Sequence, residues 1–143
     1  MTDHVVSATT RAAASAERIW KAISTPEELV QWYAPGCRWE ITELRSGATV
    51  RFFNTDTDVQ SAVIERCIPP QELTLRWTPD ASQPLIQLVN SYTIRRIGEE
   101  SEVTVSQTGY ASVPSDQRAS WIQADEGAFP AIAAALAEYA ARS

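Results

Sequence analysis

Apolar side chains along this chain repeat first with a helical period, then at every second residue, and finally with a helical period again. Residues 4–12 are rich in β-branched types and predict a first strand. Ser15 has the character of a helix N-cap, with Glu17 and Arg18 in the first turn and Ile19, Trp20 and Ile23 forming an apolar stripe. Thr25 and Pro26 repeat the signal, a capping type followed by proline at the first helical position. Two short helices are therefore expected, the second ending near Trp32 and Tyr33 and stopped by Ala34-Pro35-Gly36.

Period two begins at Arg38-Trp39-Glu40-Ile41-Thr42 and continues, after a turn at Ser46-Gly47, through Val50 to Phe53. A longer strand is expected from about Val59 to Ile68, ended by Pro69-Pro70, and another over Leu73, Leu75 and Trp77. A sixth, from about Leu85 to Ile97, turns at Gly98-Glu99-Glu100 and forms a hairpin with Glu102 to Thr108. Gly109 closes it. From Ser115 to Asp125 and from Gly127 to Arg142 the residues favour helix, with Phe129, Ile132, Ala133, Leu136 and Ala140 on one side. Pro130 lacks the donor for the Glu126 carbonyl, so a kink or brief break is expected near residues 126–130. The fold class is α+β: a curved antiparallel sheet of about seven strands wrapped on a long C-terminal helix, as one domain over residues 1–143. The many alanines of that helix leave two readings open, close approach to the sheet or a retained cavity.

Composition narrows the function classes. Acidic residues outnumber basic ones by 18 to 12, and no basic cluster exceeds the pair Arg95-Arg96, which argues against a nucleic-acid partner. No apolar run approaches the roughly 20 residues that span a bilayer, and the start lacks a signal-peptide pattern. A soluble, cytoplasmic protein with no membrane partner is the expectation. Cys37 and Cys67 read as reduced, part-buried thiols, and neither has a near His or Cys to suggest a metal.

The first short helix has Ala14, Ile19, Trp20, Ala22 and Ile23, and the second has Pro26, Glu27, Leu29 and Trp32. Pro69, Pro70, Leu73 and Trp77 follow in order, then Glu126-Gly127-Ala128-Phe129. With these motifs the chain resembles the START-like (SRPBCC) superfamily of polyketide cyclases and lipid-transfer proteins. Within it, the chain is similar to the bacterial branch named after the activator of the heat-shock-protein ATPase. Two positions depart from that pattern: Gln107 stands where a His is frequent, and Ala128-Phe129 follows Gly127 where Trp is common.

The resemblance implies the helix-grip fold, with a cavity between sheet and long helix that holds a small hydrophobic molecule and needs no cofactor. Alternation combined with that fold places Trp32 and Tyr33 at its mouth, Trp39 and Phe52 on early strands, and Leu75 and Trp77 in the middle. Asn90, Tyr92 and Gln107 fall on late strands, with Phe129 and Leu136 opposite on the helix. The amides and the phenol are the most informative of these, because such groups facing an apolar interior need partners. A one-residue slip of register would exchange Asn90 for Ser91 and Gln107 for Ser106.

Two other functions stay open. A co-chaperone-like adaptor would stimulate a heat-shock ATPase through an exposed apolar patch, although the extra chaperone-binding domain of the eukaryotic activators is not expected here. A cyclase- or hydrolase-like enzyme would need an acid or base, for which Glu65 or Arg66 is available, one of the two pointing inward. No metal ligands or catalytic residues are assigned. A chaperone partner and homodimer formation stand as alternatives.

Overall fold

A computed structural model describes residues 4–34 and 36–142. Pro35, part of the expected helix stop, lies outside the described residues. The chain opens with strand β1 (Val6–Ala12), helix α1 (Ala16–Ser24) and helix α2 (Pro26–Trp32). Six strands follow: β2 (Arg38–Ile41), β3 (Thr49–Phe53), β4 (Val59–Ile68), β5 (Glu72–Trp77), β6 (Val89–Ile97) and β7 (Glu100–Thr108). A 3₁₀ turn at Tyr110–Ser112 leads into helix α3 (Ser115–Ala141). The strands form one seven-stranded antiparallel sheet in the order β1-β7-β6-β5-β4-β3-β2. Sequential antiparallel pairing from β2 to β7 makes a meander, with a longer loop over residues 78–88 between β5 and β6, and β1 extends it by pairing with β7 from Val6↔Gln107 to Ala12↔Ser101.

Local chemistry explains most of these elements. The Ser15 hydroxyl accepts from the Arg18 amide at 3.1 Å and so caps α1, whose Ala16, Ile19, Ala22 and Ile23 are buried. Thr25 occupies the N-cap of α2, but its side chain makes no capping bond; its carbonyl takes the Glu28 and Leu29 amides instead. Trp32 clips the two helices together, its indole N–H donating to the Ala22 carbonyl at 2.9 Å.

Helix α3 lies mainly over β1, with further packing on β7, α1 and α2. Phe129, Ala133, Leu136, Ala137 and Ala140 are buried along its second half. The alanines there let helix and strand backbones approach closely. A cluster behind them joins three helices: Arg18 donates to Glu28 at 2.5 Å, and the Tyr139 hydroxyl donates to the same carboxylate oxygen at 3.2 Å. Burial alone would raise the Glu28 carboxyl, but these two donors outweigh it and hold it below the ordinary glutamate range.

Three local expectations are corrected. Of the kink or brief break expected near residues 126–130, the break does not occur: helix α3 is continuous there, with Pro130 inside it on the exposed side. Strand β6 begins at Val89 rather than near Leu85, because the Gln87 amide is taken by the Ser112 hydroxyl at 2.9 Å. Gly109 makes that approach possible: its φ is 102°, and a Cβ there would lie 2.2 Å from the Gln87 carbonyl oxygen. Finally, Glu65 and Arg66 are both exposed, because a β-bulge between Ile64 and Arg66 breaks the alternation that should have sent one of them inward.

Among the described residues no helix is long and apolar enough to cross a membrane, and no group of three or more His, Cys, Asp or Glu is gathered to hold a metal. Cys37 and Cys67 are free and half-buried.

Candidate functional site

The register of β5, β6, β7 and β1 aligns one transverse row of inward side chains. Leu75 faces Asn90, Asn90 faces Gln107, and Gln107 faces Val6. Trp77, two residues beyond Leu75 on the same face, lies diagonal to Asn90. Gln107 is only 7% exposed, so its amide must find partners within the protein.

Those partners form a directed chain. An indole N–H can only donate, and that of Trp77 donates to the Asn90 Oδ1 at 2.7 Å. Asn90 Nδ2 therefore points the other way and donates to the Gln107 Oε1. Gln107 Nε2 in turn donates to the Asp125 Oδ2 at 2.8 Å and to the Tyr110 hydroxyl at 2.9 Å. The Tyr110 hydroxyl donates to the same Asp125 oxygen at 2.7 Å. A donor-only group starts the chain and an accepting carboxylate oxygen ends it, which fixes the orientation of both amides between them. Burial and the neighbouring carboxylate push the Tyr110 phenol well above the ordinary tyrosine range, so it remains a donor.

This chain forms part of the wall of an open cleft of about 640 Å³ between the β4–β6 end of the sheet, the loop 78–88 and the first half of α3. Tyr33, Phe52, Trp77 and Trp121 supply aromatic wall, Ile86 and Leu88 aliphatic wall, and Asn90, Gln107 and Asp125 the polar groups. Asp80 on the loop adds a second carboxylate. The backbone N–H and hydroxyl of Ser82 both donate to it, which holds Asp80 below the ordinary aspartate range. A shallower recess continues from Trp121 and Asp125 over Ser120 and Ala124.

Behind the cleft the interior is almost full. A void of about 20 Å³ remains among Ile23, Trp39, Leu75, Tyr92 and their neighbours, with Tyr33 and Asn90 lining both it and the cleft. Aromatic packing closes this inner end: Tyr33 meets Trp39 edge-on at 5.5 Å between centroids, and Trp39 lies 4.8 Å from Phe52, its cross-strand partner. The Trp39 indole nitrogen is buried with no hydrogen-bond partner among the described residues. Burial raises the phenols of Tyr33 and Tyr92, Tyr33 being raised further by Cys37 and Asp125, so both stay protonated.

The residues singled out from sequence thus fall into three places. Tyr33, Phe52, Trp77, Asn90 and Gln107 line the cleft, while Trp39, Leu75 and Tyr92 line the inner void with Tyr33 and Asn90. Trp32, Phe129 and Leu136 are packed in the core and border neither space. Sequence reasoning missed Asp125, Trp121 and Tyr110. The signal for two of them was present: counting back from Phe129 in steps of four reaches Asp125 and then Trp121, which continues the inner stripe through a charged residue.

A long helix held by a curved antiparallel sheet, with an aromatic-walled cleft at one end, defines a START-like helix-grip domain. The chain belongs to the family of activator of Hsp90 ATPase homolog 1-like proteins, whose family model matches residues 13–141. The crystal structure of protein MLL2253 from Mesorhizobium loti shares the fold at 16% identity and a TM-score of 0.79, with 98% of each chain covered. The solution structure of the Aha1 dimer from Colwellia psychrerythraea does so at 12% identity and TM-score 0.72, covering 94% of both chains. The ZhuI aromatase/cyclase of Streptomyces sp. R1128 matches at 15% identity and TM-score 0.70, with 99% of this chain and 95% of that one covered. No curated protein gives a significant sequence match.

Proposed function

We propose that this protein binds a small, largely apolar molecule in the cleft beside the first half of α3. The supporting observation is the directed chain Trp77–Asn90–Gln107–Asp125 set in the wall of a space of about 640 Å³. Small-molecule sites are mostly apolar concavities with a few convergent polar groups, and this volume suits one drug-sized ligand. Tyr33, Phe52, Trp77 and Trp121 would contact the ligand body, with Asn90, Gln107 and Asp125 orienting it. The inner positions Trp39, Leu75 and Tyr92 back that wall. Of the other positions considered, Trp32, Phe129 and Leu136 act through the packing that supports it.

Titration with N-phenyl-1-naphthylamine, an uncharged fluorescent probe, tests this reading. Trp77→Ala should weaken probe uptake about tenfold, a loss of about 1.4 kcal/mol in binding. Urea unfolding of the same variant measures its stability. Equal losses of binding and stability, or no uptake by the parent protein, would reduce the cleft to a surface irregularity.

A further inference from the structure

The cleft has an unbalanced charge. Asp80 and Asp125 both line it, and among the described residues none that lines it is Arg, Lys or His. On the adjoining strands Arg38, Arg51, Arg66 and Arg76 are turned to the opposite face of the sheet, and Arg96, which shares the inner side of β6 with Asn90, is engaged by Glu17 of α1 at the far end of the strand. Arg38 pairs with Glu40 at 3.1 Å, and Arg66 pairs with Glu72 at 3.2 Å. Arg118, one turn before Trp121, is directed to the carbonyls of Val113 and Ala111.

Both carboxylates accept hydrogen bonds from their own surroundings, and those on Asp80 hold it below the ordinary aspartate range. Two donors converge on one oxygen of Asp125, and Ser82 supplies two donors to Asp80. Trp77 and Trp121 line the same cleft, and the face of an indole ring attracts a cation. A carboxylate or phosphate ligand would meet negative charge with nothing to neutralise it.

We infer that the ligand is a cationic or hydrogen-bond-donating amphiphile, an aromatic or aliphatic amine being the best fit, and that anionic amphiphiles such as fatty-acid carboxylates are excluded. This rests on the cleft being the binding site, and it goes further by naming the chemical class.

The test uses three probes on one ring system: 2-naphthylmethylamine (protonated at neutral pH), 2-naphthylmethanol and 2-naphthoate. Each is titrated into the full chain by calorimetry, with the tryptophan indole N–H signals followed by NMR. At low salt the amine should bind about tenfold tighter than the alcohol, and the carboxylate should bind weakest. Asp125→Asn should cut the preference of amine over alcohol to about two- to threefold while the alcohol still binds. Asp80 is exposed and outside the hydrogen-bonded chain, so Asp80→Asn repeats the test without risk to the fold and should cut the preference by about half. Binding of the carboxylate as tight as that of the amine would overturn the charge inference and leave the cleft reading standing. Failure of all three probes to bind or to shift the Trp77 and Trp121 signals would overturn both.

Discussion

The two halves of α3 share one helix and one inward stripe, yet they do opposite things. In the second half, Phe129, Ala133, Leu136, Ala137 and Ala140 are buried and the space is filled. In the first half, Trp121 and Asp125 continue the same stripe but stay half-exposed, facing the cleft. The difference lies in what the sheet and loops present to each. Alanine at the contact positions lets the second half come close to its neighbours, and the Arg18–Glu28–Tyr139 cluster fastens it to α1 and α2. The first half places a large ring and a carboxylate where small apolar residues would have closed the gap. A pocket in this fold therefore comes from what one end of a helix does not pack against, while the other end supplies the stability.

That contrast can be broken or sharpened by substitution. Leu136 is fully buried, so Leu136→Ala should cost about 3 kcal/mol in urea unfolding and leave probe affinity in the cleft nearly unchanged. Loss of binding in step with stability would show that the two halves are not separable. Gln107→Leu keeps the volume but leaves Asn90 and Asp125 each short of a partner, for a cost of about 2 kcal/mol together with weaker probe binding. A variant as stable as the parent would mean the directed chain contributes nothing to the fold.

Glu28→Gln removes the charge that joins three helices and should cost about 1 kcal/mol at neutral pH. Because the folded state holds this carboxyl below its ordinary value of 4.5, the stabilisation is present above that value and is lost as pH falls through the lower folded value. The parent should therefore weaken in acid more steeply than the variant, as unfolding curves at pH 7 and pH 3.5 would show. Trp121→Ala should change stability least, by about 0.5 kcal/mol, yet lower probe affinity about tenfold. A large stability loss there would place Trp121 in the core and erase the contrast between the halves.

Strand and helix order was legible because each element announces its own period and ends. Ser15, Pro26, Pro69-Pro70 and Gly109 punctuate the chain where the backbone changes direction, and alternation combined with the fold of the family it resembles pointed Asn90 and Gln107 inward, with Ser91 and Ser106 as the alternatives of a one-residue slip. Alternation failed at Glu65 and Arg66, since a bulge depends on how β4 meets β5 and leaves no mark in the spacing. The start of β6 was misjudged for a similar reason: Ser112, distant in sequence, takes the amide that would have extended the strand.

The site divides along the same line. Composition and pattern determined by themselves that the chain builds a sheet and grips one long helix, and alternation together with the family resemblance put amides and aromatic rings on the inner face. Those are local or periodic properties, set by side-chain type and backbone geometry. Only the tertiary structure decided which inner residues touch open space and which are packed, because that depends on distances between elements far apart in the chain. It brought Asp125 of α3 onto Gln107 of β7, aligned the amides into one direction, filled the interior around Trp39 and Tyr92, and left the cleft beside Trp121 open.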